Sequence, residues 1–121
     1  ERRSSTVAAA VESGIALLLA GDLPNGDYPT ATEPSPLWQQ FGFPLGYTSD
    51  LLEALEVLVR LGLGGHPRLA TAVAVVHSKR DGSGHWALEY TPGNTWSDFG
   101  NVGTPNKWVT LRALRVLRHW E

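Results

Sequence analysis

The sequence predicts an all-α fold of four main helices, interrupted by one long proline-rich loop. Three observations carry that prediction. Apolar residues recur at helical spacing in four separate stretches, capping-type residues precede those stretches, and Gly or Pro punctuates their ends. A chain of 121 residues has room for one hydrophobic core, so residues 1–121 are read as a single helical domain.

The first expected helix is Thr6–Ala20. Ser5 stands at the cap position, Val7, Val11, Ile15 and Leu18 share a face, and Gly21 stops it. Ala8, Ala9, Ala10 and Ala16 allow a neighbouring helix to approach closely. Between Asp22 and Thr48 stand Pro24, Pro29, Pro34, Pro36 and Pro44, a spacing that no helix or central strand survives. Connections this long are uncommon in compact domains. Trp38, Phe41, Phe43 and Tyr47 in its second half predict a loop that packs onto the body, with a freer first half.

The second helix is expected from Asp50 to about Leu61, capped by Ser49 or Asp50, with Glu53 placed as in a capping box. Leu51, Leu52, Leu55, Leu58, Val59 and Leu61 give it a wide apolar face, and Gly62, Gly64 and Gly65 end it. The third starts at Pro67, a favoured first helical position, buries Leu69, Ala72, Val73 and Val76, and ends near Lys79. Asp81-Gly82-Ser83-Gly84 then makes a turn. Trp86–Tyr90 alternates apolar and polar residues, which fits either a short extended segment or a loop. The last helix is expected from Pro105 to about Trp120, capped by Thr104. Trp108, Leu111, Leu114 or Arg115, and Leu117 or Arg118 fit its helical period, with Val109, Ala113 and Val116 widening the apolar side.

Composition excludes several function classes. Apolar residues at 42% and charged residues at 18% are globular proportions. A net charge of −2 argues against nucleic acid as a partner, because phosphate neutralisation needs a basic stripe. Lys107, Arg112, Arg115 and Arg118 come nearest to one, and are read as a solvated helix face. The absence of cysteine excludes disulfides and thiolate metal sites, and fits a cytoplasmic location. Arg2 and Arg3 ahead of an alanine-rich stretch look superficially like a signal peptide, but Glu12 and Ser13 interrupt it. The longest apolar run, Gly14–Ala20, is too short to span a bilayer. A chain without methionine lacks a natural start, so we expect a fragment of a longer repeat protein.

Three stretches carry a family resemblance. One is Phe41-Gly42-Phe43-Pro44-Leu45-Gly46-Tyr47 leading into Asp50-Leu51-Leu52-Glu53-Ala54-Leu55. Another is His66-Pro67-Arg68-Leu69 followed by Ser78–Trp86, and the third is Pro105–Leu117. In this order and spacing, Phe41–Trp120 resembles the carboxy-terminal part of the prenyltransferase and squalene-oxidase (terpene cyclase-like) repeat family. The resemblance implies helix pairs from an α/α toroid, a ring whose inner helices line an apolar cavity. In cyclase repeats a Gln commonly precedes the turn, whereas here Lys79 and Arg80 stand nearby, a departure from true cyclases. Two helix pairs from a ring expose faces that neighbouring repeats would bury, so the chain either is a fragment, closes its own four-helix core or oligomerises; a homo-oligomer, or contact with the rest of a longer chain, is expected.

The chemistry of such enzymes is not complete here. The D-x-D-D acid of type II cyclases and the Asp-rich magnesium cluster are absent, and a zinc site of the Asp, Cys and His type fails for want of cysteine. His77, Asp81 and His85 are spaced for metal, but the Asp-Gly turn breaks the helix there, so no metal and no cofactor are expected. Asp50 is accounted for by capping.

The richest constellation is Trp86, Glu89, Tyr90, Trp96, Asp98 and Trp108, to which Thr110 and Arg112 add polar groups. Aromatics interspersed with carboxylates stack on sugars or shield cations, and Glu89 with Asp98 is a conceivable acid–base pair. The competing reading makes these tryptophans anchors that pin loops to a core. The candidate ligand-binding residues are therefore Tyr47, Trp86, Glu89, Trp96, Asp98, Trp108 and Arg112. The expected function is a repeat domain that binds an apolar isoprenoid-like small molecule or another repeat unit. The alternatives are part of a sugar-processing or cyclase enzyme with its catalytic acids elsewhere, or a structural interaction module. Whether any reaction is catalysed stays open at this point.

Overall fold

The computed structural model describes residues 3–26 and 35–121. It is all-α, with helices α1 (Ser5–Ala20), α2 (Leu51–Leu58), α3 (Ala70–Ser78) and α4 (Lys107–Trp120), and no strand among the described residues. The freer first half expected of the long loop falls largely on 27–34, outside the described residues.

Helices α2, α3 and α4 pack on one another around a single core. Leu51, Leu52, Leu55 and Leu58 from α2 meet Leu69, Ala72, Val73 and Val76 from α3 and its entry turn, and Val109, Ala113, Val116 and Leu117 from α4. Each fully buried Leu or Val among them contributes about 1.5–3 kcal/mol, which is what the short helices α2 and α3 need, since eight or nine residues do not hold a helix alone in water. Phe41, Trp86 and Leu88 enter the same core from outside any helix.

Helices α1, α2 and α4, and the turn that leads into α3, start on a side chain that accepts orphan N–H groups. Ser4, not Ser5, caps α1, its Oγ accepting from the Val7 N–H. Asp50 caps α2 by accepting from Glu53 N–H at 2.7 Å. The third stretch opens as a 3-10 turn, Pro67–Leu69, before α3 proper, with His66 at the cap. Asn106, not Thr104, caps α4, its Oδ1 accepting from Trp108 and Val109. Thr104 lies in the preceding turn, where its hydroxyl donates to the Asn101 carbonyl. Helix α2 closes in a wider turn over Val59–Leu63, with Gly62 at φ 91°. That left-handed position belongs to glycine, which stops the helix and reverses the chain toward α3.

Two expectations about helix faces are corrected. The buried side of α4 is Val109, Thr110, Arg112, Ala113, Val116 and Leu117, while Leu111 and Leu114 are exposed. The cap at Asn106 and the inward pairing of Arg112 set that rotation. Helix α1 buries no residue completely, and Val7 is about half exposed. Only Ile15, Leu18 and Leu19 lean on the core, and Arg68 ties down the helix end by donating to the Leu19 and Ala20 carbonyls. No helix among the described residues is long and apolar enough to cross a membrane.

Trp86–Tyr90 forms no strand. It makes two isolated bridges, Ala87 to Pro105 and Gly42 to Tyr90. Through them the segment holds the loop at Phe41 on one side and the entry to α4 on the other, with Glu89 N–H donating to Phe41 O and Asn106 N–H to Trp86 O.

Candidate functional site

The seven candidate residues separate into two groups. Trp86, Glu89 and Arg112 lie in the framework. Trp86 is fully buried; its indole N–H donates to the Val76 carbonyl at 2.7 Å and its backbone N–H to the Thr110 hydroxyl. Thr110, expected to present a polar group to a ligand, is consumed there. Glu89 accepts from Phe41 N–H at 2.7 Å on one oxygen and from Lys79 Nζ at 2.6 Å on the other. Lys79 also sits over the Phe41 ring, 5.0 Å from its centroid.

Arg112 is buried, which removes it from the solvated face assigned to it by charge pattern. Its guanidinium donates to both oxygens of Asp50 at 3.0 and 2.8 Å, to Glu56 Oε2 at 2.8 Å, and to the Gly42 carbonyl at 2.7 Å. Asp50 additionally accepts from Gly42 N–H and Glu53 N–H. Burial works to lower the Arg112 pKa, but its hydrogen bonds to, and charge attraction by, Asp50 and Glu56 prevail and raise it above the ordinary value. The group thus stays cationic and ties α4 to the start of α2 and to the loop.

Tyr47, Trp96, Asp98 and Trp108 belong to the loop end of the molecule. Phe43 stacks on Trp108, with centroids 5.1 Å apart and planes 9° from parallel, and Phe99 meets Phe43 edge-on at 5.3 Å. Lys107 Nζ stands 5.1 Å from the Trp108 centroid. Two open clefts share Phe99 as a wall. One, of about 290 Å3, is lined by apolar groups of Pro44, Leu45, Pro92, Trp96 and Phe99. The other, of about 600 Å3, lies between Asp98, Lys107 and Trp108. Trp96 and Tyr47 are fully exposed, at 105% and 107% of reference area. Tyr47 therefore does not pack down with the rest of its loop, whereas Trp38, Phe41 and Phe43 do; Trp38 donates to Leu23 O at 2.8 Å.

This arrangement suits binding. Both Glu89 oxygens are committed to other donors, and Asp98 Oδ1 accepts from Gly100 N–H in its own turn. The conceivable acid–base pair is thus divided between the framework and the loop end. Asp81 accepts from the N–H groups of His85 and Ser83, which hold its carboxyl below its ordinary value. Among the described residues, no three His, Asp or Glu side chains are grouped to hold a metal ion.

Sequence reasoning missed Phe43 as the centre of the aromatic stack, and Phe99, Lys107 and the proline walls. The sequence carried no joint signal for them, because Pro44 lies 52 residues before Trp96 and only the Gly42–Tyr90 bridge brings the two segments together. No family model, curated protein or solved structure matches this chain.

Proposed function

We propose that this chain is a prenyltransferase- and cyclase-like repeat domain that works by binding, with its aromatic loop end and uncovered apolar faces docking another repeat unit. The observation that carries the reading is the full exposure of Trp96 and Tyr47 beside an apolar cleft, whereas the other aromatic side chains among the described residues are at least half covered. Large aromatics supply most of the energy at interfaces, and left uncovered they expose apolar area to water. Val7 and Leu17 on α1, Val57 on α2, and Leu111 and Leu114 on α4 are also exposed, as the faces of a repeat lacking its neighbours would be. The polar framework, fully occupied by internal pairs, contributes stability to this function and no reactive group.

A second reading has one observation in its favour. The Pro44–Trp96 cleft, about 290 Å3 and mostly apolar, is large enough for part of an isoprenoid-like chain. Light scattering on the eluting protein and a fluorescence titration with a short prenol separate the two. Docking of repeats predicts concentration-dependent association that Trp96→Ala weakens. Prenol binding predicts a monomer whose saturable quenching disappears with the same substitution. A monomer that binds no prenol refutes both.

A further inference from the structure

The seam between α2 and α4 gathers charge that the aromatic end does not use. Glu56 and Val59, with Arg60 on the turn that closes α2, line one wall of a cleft of about 220 Å3, and Arg115 and His119 of α4 line the other. Glu56 with Arg60 and Arg115 with His119 stand at i and i+4 in their own segments. Arg60, Arg115 and His119 are all exposed. The walls are held close by Gly64, where an added Cβ would stand 2.1 Å from the His119 carbonyl oxygen. Only glycine lets that turn reach the last turn of α4.

Six groups set the local charge. Asp50 and Glu56 are negative, and Arg112 between them is positive. Arg60 and Arg115 turn the balance positive, and His119 adds to it when protonated. The carboxylates lie at the back: the Asp50 side chain is 3% exposed, and Glu56 Oε2 is held by Arg112 at 2.8 Å. Arg115 is 56% exposed and stands 4.0 Å from the second Glu56 oxygen. An anion entering from solvent therefore meets the bases first. The last carbonyls of α4 oppose it with a partial charge and the exposed Glu121 with a full one. Glu121 is not in the cleft lining, whereas Arg60, Arg115 and His119 meet the anion at contact distance.

Three donor groups approaching from two walls suit a tetrahedral oxyanion, whereas a planar carboxylate is satisfied by a single arginine fork. We propose that this cleft binds a phosphate group carried by a small molecule.

The test is a titration of the full chain with inorganic phosphate, followed by 1H–15N NMR, against chloride at matched ionic strength. Saturable shifts at the Arg60 and Arg115 Nε–H groups and at the His119 ring, absent with chloride, are expected. The double variant R60Q/R115Q weakens binding by about tenfold or more, as loss of charged hydrogen bonds requires. His119→Gln weakens it independently, and Arg118→Gln, outside the cleft, stays within about twofold. Shifts equal to those with chloride, or unchanged in the double variant, overturn the proposal. Binding of anionic phospholipid vesicles without binding of free phosphate overturns the small-molecule assignment.

Discussion

The α2–α4 seam and the loop end around Trp96 spend similar residue types in opposite ways. At the back of the seam the buried charged groups are matched: Asp50 takes four hydrogen bonds and Arg112 gives four, while Arg60, Arg115 and His119 stay exposed at its mouth. At the loop end, aromatic groups that would stabilise a core stand in water. The same division runs between Trp86 and Trp96, ten residues apart in one loop region, one sealed and one fully exposed. A tryptophan's presence near a turn therefore says little about its role. What decides it is whether a backbone carbonyl waits for its N–H in the interior, as Val76 does for Trp86.

The largest effect that sharpens this contrast is expected from Trp86→Ala. Emptying a buried indole costs about 3–5 kcal/mol, and the Val76 carbonyl loses its donor as well. Against a total stability of about 5–15 kcal/mol, this leaves a domain at the edge of folding. A urea melt followed by circular dichroism should show a midpoint shifted far down or no cooperative transition. A near-native midpoint would break the contrast at its stronger end.

Asp50→Ala comes next, at about 3–5 kcal/mol, because Arg112 then remains buried with one carboxylate partner fewer. Combining it with Arg112→Met removes the stranded charge, so the double variant should lose less than the two single losses together. A double-mutant cycle measures that coupling. Strict additivity would mean that the pair does not act as a unit. The guanidinium itself does not titrate in the ordinary pH range, since the Arg112 pKa is raised further above an already high value.

Much of the framework was legible in the sequence, and the reasons are local. Leu69, Ala72, Val73 and Val76 sit where periodicity places them, and Asp50 caps where its spacing to Glu53 says it should. The fold class follows from such patterns. The rotation of α4 was not legible, because two faces of Lys107–Trp120 are apolar enough to be buried. The choice between Leu111 with Leu114 and Val109 with Val116 depends on Arg112 finding Asp50, 62 residues away in sequence. An arginine in a basic run reads as solvated until a buried carboxylate is placed opposite it. Four of the seven site residues share the loop end, but Phe43 and Phe99, which build it, carry no signal beyond being aromatic.

A smaller effect is expected at Asp81, in the turn after α3. Its carboxyl is held below its ordinary value of 3.8, chiefly by the His85 N–H. A lowered pKa in the folded state favours folding above the unfolded value, and that advantage fades as pH falls through the folded one. Asp81→Asn keeps an acceptor oxygen and loses the charge. Wild type should therefore be slightly the more stable near neutrality, with the two thermal midpoints converging as the solution is taken below pH 3.8. A gap that widens with acid would reverse the sign and remove the turn from the rigid half of the molecule.

The smallest expected change in stability comes from Trp96→Ala. The side chain is fully exposed and makes no hydrogen bond among the described residues, so its loss should alter stability by no more than about 0.5 kcal/mol. That near-silence gives the variant its value, because association can then be read without a folding effect. Under the docking reading, dilution should dissociate the variant at higher concentration than wild type, while both melt alike. A fall in midpoint comparable to that of Trp86→Ala would show that the indole is packed in solution, and the distinction between a sealed framework and an open aromatic end would fail. Retained stability with unchanged association would leave the framework standing and move the docking surface away from Trp96, toward the exposed leucines of α4.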